Sequence, residues 1–195
     1  MKQKSKVNEA GRCLYEQLLG PQWDDLPAEA RALHNPLAPV ERRGSFTVRH
    51  SSSRVARLLI RLMRLPRAGT DLPTELTITP RHGGEIWRRR FGSDDLVTRQ
   101  RPARHGFLAE RLGMIELWLG LEVAAGALSY RTVRGTLVVG RWRPGLPRWL
   151  CPRVDGRETS DAGGVVRVEV QLSFPPVGML MSYTGGVCLE RRETA

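Results

Sequence analysis

Residues 114–123 read MIELWLGLEV, and this stretch decides the architecture. Ile115, Leu117, Leu119, Leu121 and Val123 alternate with Glu116, Trp118, Gly120 and Glu122. A period of two places the first set on one face and the second on the other, which is the pattern of a half-buried β-strand. Ala125-Gly126 then turns the chain into a second alternating run with Leu128, Tyr130 and Thr132. An antiparallel pair is the first unit of the fold.

The same period continues outward in both directions. Towards the C-terminus, a loop rich in Pro, Trp and Arg covers 141–157, with Trp142 and Trp149 expected to fold over a barrel mouth as its plug. Val166, Val168, Val170, Leu172 and Phe174 then oppose Arg167, Glu169, Gln171 and Ser173, Pro175-Pro176 breaks the chain, and 178–189 forms a last strand. Towards the N-terminus, strands are expected at 106–112, 96–101 and 85–91, the last entered from Leu76 and Ile78 through the turn His82-Gly83-Gly84. Phe46 and Val48 mark another at 44–50.

The helical parts are short. Asn8 is placed to cap a helix carrying Leu14, Leu18 and Leu19 and stopping at Gly20-Pro21. A second, with Asp24, Asp25 and Pro27 at its start, carries Ala30 and Leu33 and ends at His34-Asn35-Pro36. Ser51-Ser52-Ser53 caps a third over 54–65. Its apolar stripe is Val55, Leu58, Leu59, Leu62 and Met63, its basic stripe Arg54, Arg57, Arg61 and Arg64, and Pro66 ends it.

The fold class that follows is α+β: N-terminal short helices, then a strongly curved antiparallel β-sheet or β-barrel of about eight or nine strands, with one amphipathic helix (54–65) packed on it. One domain is expected over 1–195, with 1–7 disordered, a helical start at 8–43 and the sheet over 44–190. A barrel of about eight strands is either filled by side chains or holds one small ligand.

Composition narrows the partners. The 195 residues are 41% apolar, sufficient for one core. The net charge is +11, but Lys2, Lys4 and Lys6 are the only lysines among 31 basic residues. An arginine-dominated balance fits the GC-rich codons of a bacterial genome as well as it fits phosphate binding, so a nucleic acid partner is not expected. A positive surface still favours anionic partners, and peripheral membrane contact stays open. The basic start is interrupted by Asn8, Glu9, Gly11 and Arg12, and no long apolar run exists, so no transmembrane segment and a cytoplasmic location are expected. Cys13, Cys151 and Cys188 are odd in number and far apart, which points to buried free thiols. His34, His50, His82 and His105 are dispersed and read as surface or loop-end residues, so no metal site is expected. The chain contains no G-x-G-x-x-G, G-x-S-x-G, P-loop or H-E-x-x-H, and no cofactor is expected.

Alternation also exposes misplaced polar residues. In 85–91 the inward phase is Trp87, Arg89, Phe91, and in 106–112 it is Leu108, Glu110, Leu112. A guanidinium and a carboxylate alone in a core would each cost several kcal/mol, so they are expected to meet each other or a shared polar ligand. Tyr130 and Tyr183 lie in phase with apolar neighbours and add hydroxyls to the same interior. Two outcomes are open: a structural ion pair, or an apolar cup whose arginine binds an anionic head group.

Several short motifs run in order along the chain: Tyr15-x-x-Leu18-Leu19-Gly20, Leu26-Pro27, Leu33-His34, Leu65-Pro66-x-Ala68-Gly69 and Trp87-x-Arg89-x-Phe91. They continue with Glu110-Arg111-x-Gly113, Leu146-Pro147-x-x-Leu150-x-Pro152, Glu158 and Tyr183-x-Gly185. Together they resemble the family catalogued as domain of unknown function 4166, over about residues 14–189. The resemblance implies a domain found alone or fused behind a dinucleotide-binding domain similar to saccharopine dehydrogenase, and hence a possible oxidoreductase-like partner; it implies no activity. One departure is Gly186, where an aromatic residue is expected after the first glycine.

The expected function is binding of a small amphipathic or anionic, lipid-like ligand in an apolar cavity, without catalysis. Arg89 would hold the ligand, Glu110 and Glu158 would orient that arginine or accept hydrogen bonds, and Trp87, Tyr130 and Tyr183 would line the hollow. Three alternatives stand beside it. The carboxylates act as general acid and base in an enzyme, the chain docks as an accessory module on a dinucleotide-dependent oxidoreductase through its basic helix, or it is a structural domain without ligand.

Overall fold

The computed structural model describes residues 12–36, 38–161 and 163–188. Ten strands among them close into an antiparallel barrel. They are β1 (Val40–His50), β2 (Gly69–Arg81), β3 (Gly84–Phe91), β4 (Asp94–Pro102), β5 (Leu108–Leu112), β6 (Ile115–Ala124), β7 (Ala127–Leu137), β8 (Arg153–Ser160), β9 (Val165–Phe174) and β10 (Gly178–Cys188). Each pairs with the next in sequence, and β10 returns to pair with β1, so no edge is left open. The expected antiparallel sheet with a few short helices is present and closed, but it holds ten strands instead of eight or nine.

The additional strand is β8, which covers part of what reads as a loop. Its sequence RVDGRETS lacks apolar alternation because two inward positions are Gly156 and Glu158. Tyr130 stands opposite Gly156 in the register, and its ring fills the space a Cβ at 156 would need. The apolar partner of this strand is therefore supplied by its neighbour. At the closing seam, Phe46 of β1 stands opposite Gly185 of β10, where a Cβ would run into the Ser45 carbonyl oxygen.

Connections alternate between the two ends of the barrel. One end is closed by the N-terminal helices α1 (Leu14–Leu19) and α2 (Ala28–His34), with a 3-10 turn, Gly20–Asp25, between them. Leu14, Tyr15, Leu19, Trp23, Leu26, Ala30 and Leu33 are all buried there. This plug packs against β4, β6, β8 and β9, and Gln22 Oε1 accepts a hydrogen bond from the Val123 N–H at 3.3 Å. α1 begins later than its sequence pattern implies, with Cys13 as N-cap and its Sγ accepting from the Glu16 N–H at 3.4 Å. The expected cap Asn8 and the expected disorder of 1–7 lie outside the described residues.

The other end carries α3 (Arg54–Leu62) between β1 and β2. Ser53 caps it through a hydrogen bond from the Ala56 N–H at 3.4 Å. It ends three residues before the expected Leu65 because Arg64 turns left-handed at φ 53° and the Leu65 N–H bonds back to the Ile60 carbonyl. The face that packs on the barrel is also not the stripe the sequence suggests. Ala56 and Ile60 are buried and Leu59 and Met63 are partly covered, whereas Val55, Leu58 and Leu62 are exposed. The small Ala56 side chain lets the helix approach closely, and the apolar arc is wider than the contact, so part of it faces outward.

Outward positions of the strands are charged, as with Glu75, Arg88, Arg90, Arg131 and Glu169, while Phe46, Ile78, Leu119, Leu128 and Val166 fill the inside. No helix among the described residues is long and apolar enough to cross a membrane.

Candidate functional site

The inward positions of β3 run Glu85, Trp87, Arg89, Phe91, those of β4 Leu96, Thr98, Gln100, and those of β5 Leu108 and Glu110. Strand register sets them side by side: Trp87 opposite Thr98, Glu85 opposite Gln100, and Gln100 opposite Glu110. A polar network on one wall of an apolar barrel results. Arg89 Nη1 donates to Thr98 Oγ1 at 3.1 Å, and Arg89 Nη2 stands 3.7 Å from Glu110 Oε1, an ion pair longer than a hydrogen bond. Tyr15 Oη donates to Gln100 Oε1 at 3.0 Å, and Gln100 Nε2 donates to Glu110 Oε1 at 3.2 Å. The guanidinium carbon of Arg89 lies 4.9 Å over the Trp87 ring, whose Nε1–H donates to Glu85 Oε2 at 2.8 Å.

A second buried pair reaches the same wall from the plug. His34 Nε2 meets Glu158 Oε2 at 2.7 Å, while the His34 ring lies 3.9 Å from the Tyr15 ring and 5.5 Å from that of Trp87, centroid to centroid. His34 Nδ1 is buried with no hydrogen-bond partner among the described residues.

These groups face a cavity of about 80 Å³. Its polar wall is Arg89, Glu110, Glu158, Gln100 and the hydroxyls of Tyr15, Tyr130 and Tyr183. The remaining wall is Thr98, Pro152 and the side chains of Leu, Ile, Val and Met, reaching Met63, Leu112 and Ile115 towards the α3 end. A smaller hollow of about 30 Å³ lies on the far side of Arg89, Tyr130, Glu158 and Tyr183, lined also by Trp87.

Burial governs the titration of the site. It pushes the Tyr15 and Tyr130 phenols well above their ordinary range, helped by nearby carboxylates such as Glu158, and it pushes Tyr183 up to about 12. All three are neutral donors at physiological pH. Burial opposes the charge on Arg89, the Glu110 carboxylate beside it favours that charge, and the guanidinium stays protonated. Burial also raises the Glu85 carboxyl, an effect partly countered by the Trp87 N–H.

Arg89, Glu110, Glu158, Tyr130 and Tyr183, singled out from the sequence, all stand on the main cavity, and Trp87 supports Arg89 from below without lining it. Other members of the network are Tyr15, His34, Glu85, Thr98 and Gln100. Phase alone marks three of them, since Glu85 lies in register with Trp87, and Thr98 and Gln100 with Leu96. His34 is a correction: it ends a helix as expected but is fully buried, because the plug turns that end into the barrel. The thiols also differ from expectation, for only Cys151 is buried while Cys13 is half-buried and Cys188 exposed. Trp142 and Trp149 do not plug the mouth; each is 64% exposed. Among the described residues no group of three or more His, Cys, Asp or Glu is arranged to hold a metal ion.

Comparison with known proteins gives one family match, described as Domain of unknown function (DUF4166), over residues 26–187. No curated protein and no solved structure matches the chain.

Proposed function

The chain belongs to the family described as Domain of unknown function (DUF4166), and for this member we propose that the barrel binds a small amphipathic molecule whose anionic head group is held by Arg89. One observation carries this reading. Inside an apolar cavity, a guanidinium with five N–H donors makes a single hydrogen bond among the described residues, to Thr98, and its carboxylate partner Glu110 stands back at 3.7 Å. A pair built only for structure gains most from closing to a bidentate contact. Here the fork is left open towards the cavity. Neutral Tyr130 and Tyr183 supply further donors, and Glu158, held by His34, accepts from any hydroxyl the ligand carries.

Size limits the ligand. About 80 Å³ is roughly half the 150 Å³ that holds a benzene ring, so the enclosed space takes a head group and the first carbons of a chain. The rest of the molecule would run past Met63, Leu112 and Ile115 towards the α3 end. An anion must compete with Glu110 for the guanidinium, which makes affinity sensitive to that carboxylate. The unpaired thiols fit a reducing compartment, and we place this activity in the cytoplasm.

Calorimetry with hexanoate and with hexanol tests the proposal. Binding of hexanoate, tighter than that of hexanol, is expected, and it should be lost in the Arg89→Met/Glu110→Gln double variant, which leaves no buried charge unpaired. Glu110→Gln alone should bind hexanoate at least as tightly as the native protein. No heat with either compound, together with no small molecule retained in native mass spectrometry, overturns it.

Acid–base catalysis on the bound molecule has one observation in its favour, the 2.7 Å His34–Glu158 contact at the cavity wall. Glu158→Gln would then abolish turnover while leaving hexanoate binding in place.

A further inference from the structure

We propose that the α3 end of the barrel docks on an anionic lipid bilayer. The inference stands on the outer surface and is independent of what the cavity holds.

On α3, Leu62 is 76% exposed, Leu58 66% and Val55 55%. Their spacing of three and four residues gathers them on one flank of the helix. Arg54, Arg57 and Arg61 occupy the other outward flank, and Ala56 and Ile60 face the barrel. Residues 51–70 contain no Asp or Glu. Exposed Asp71 follows the segment directly, and Asp94 is already engaged by Arg67, through the Arg67 N–H at 2.9 Å and guanidinium at 3.0 Å.

Strand direction brings further apolar groups to the same end. The β5–β6 turn carries Met114, 62% exposed, and the β7–β8 connection carries exposed Trp142 and Trp149 beside Arg141, Arg143 and Arg148. None of the exposed large apolar side chains among the described residues lies in the connections at the plug end. This is therefore a one-sided surface.

Its chemistry selects the partner. Arginines meet anionic head groups, aliphatic side chains enter the acyl boundary, and tryptophan prefers the interface between them. An RNA would use the arginines but gain nothing from Val55, Leu58 and Leu62, since bases stack on aromatic faces. Met63, on the turn that follows α3, lines the cavity, so a docked barrel would present its hollow to the lipid surface.

Co-sedimentation with vesicles of phosphatidylcholine alone, and of phosphatidylcholine mixed with phosphatidylglycerol, tests this directly. Partition onto the mixed vesicles that weakens with added salt is expected. Arg57→Glu/Arg61→Glu should lower it by more than about tenfold and Leu58→Ser/Leu62→Ser by about tenfold. Circular dichroism of both variants should match the native protein, because the altered side chains are exposed. Hexanoate binding by Leu58→Ser/Leu62→Ser in solution should be unchanged, which separates docking from the cavity. Partition equal on both vesicle types, partition on neither, or an unaffected Leu58→Ser/Leu62→Ser variant overturns the proposal. So does retention of polyuridylate by a protein that ignores the vesicles.

Discussion

The two ends of this barrel are built to opposite rules. At the plug end Leu14, Tyr15, Leu19, Trp23 and Leu33 of α1, the 3-10 turn and α2 are buried, and even the polar His34 is buried against Glu158. At the α3 end a helix of similar length buries only Ala56 and Ile60 fully and leaves its larger aliphatic residues in solvent. Both helices are amphipathic by sequence. The difference is in what they meet: α2 packs against β8 and β9 at one end of the barrel, while α3 packs against β10 at the other. Each buries a single stripe: on α2 it holds Ala30, Leu33 and His34 and leaves Ala28 and Ala32 outside, whereas on α3 it holds Ala56 and Ile60 and leaves the larger Val55, Leu58 and Leu62 outside.

Substitutions sharpen this contrast, and the largest effect belongs to the centre both ends enclose. Arg89→Leu leaves Glu110, a largely covered carboxylate with 17% of its side chain exposed, without its cation and is expected to cost about 3–5 kcal/mol in urea unfolding, whereas Arg89→Leu/Glu110→Leu should recover most of that loss. Recovery of stability with loss of hexanoate binding would show that the pair is kept for the ligand. Next comes the plug. Leu33 is 1% exposed, so Leu33→Ala should lower stability by about 2–5 kcal/mol, with the cavity left behind adding to the lost burial. An effect under 1 kcal/mol would mean that the plug is only loosely seated.

Glu85 gives a smaller, pH-dependent effect. Burial holds its carboxyl above the ordinary value of 4.5, so the folded chain keeps this proton to higher pH than the unfolded one. Its contribution to stability is complete below the unfolded value and is lost as pH rises through the raised folded value. Glu85→Gln should flatten that fall in urea midpoints measured from about pH 4 to 8, and an unchanged slope would assign the dependence elsewhere. The smallest effect is expected at the exposed end, where Leu62→Ala should shift stability by no more than about 0.5 kcal/mol. A loss as large as that of Leu33→Ala would mean that Leu62 is covered in solution, against the contrast drawn between the two ends.

Much of the fold is legible in residue order because strands with one wet face carry it in plain alternation, as 114–123 does. The inward placement of Arg89 and Glu110 is legible for the same reason, since a period of two assigns each residue a side. β8 was not legible because its filling side chain, Tyr130, belongs to the neighbouring strand. His34 and Tyr15 were not, because burial at a helix end depends on where the helix is carried. The packed stripe of α3 differs from its apolar stripe because helical period reports which residues are apolar, whereas the width of the contact depends on the partner.

The sequence by itself determined the local period, the antiparallel order and the presence of charged groups among apolar ones, all of which follow from neighbours along one chain. Tertiary structure alone decided that the sheet closes between β1 and β10 and that His34 reaches Glu158 across 124 positions. It also decided that Arg89 and Glu110 stop at 3.7 Å on the wall of a hollow. Such distances depend on the summed packing of ten strands, and no local pattern encodes that sum.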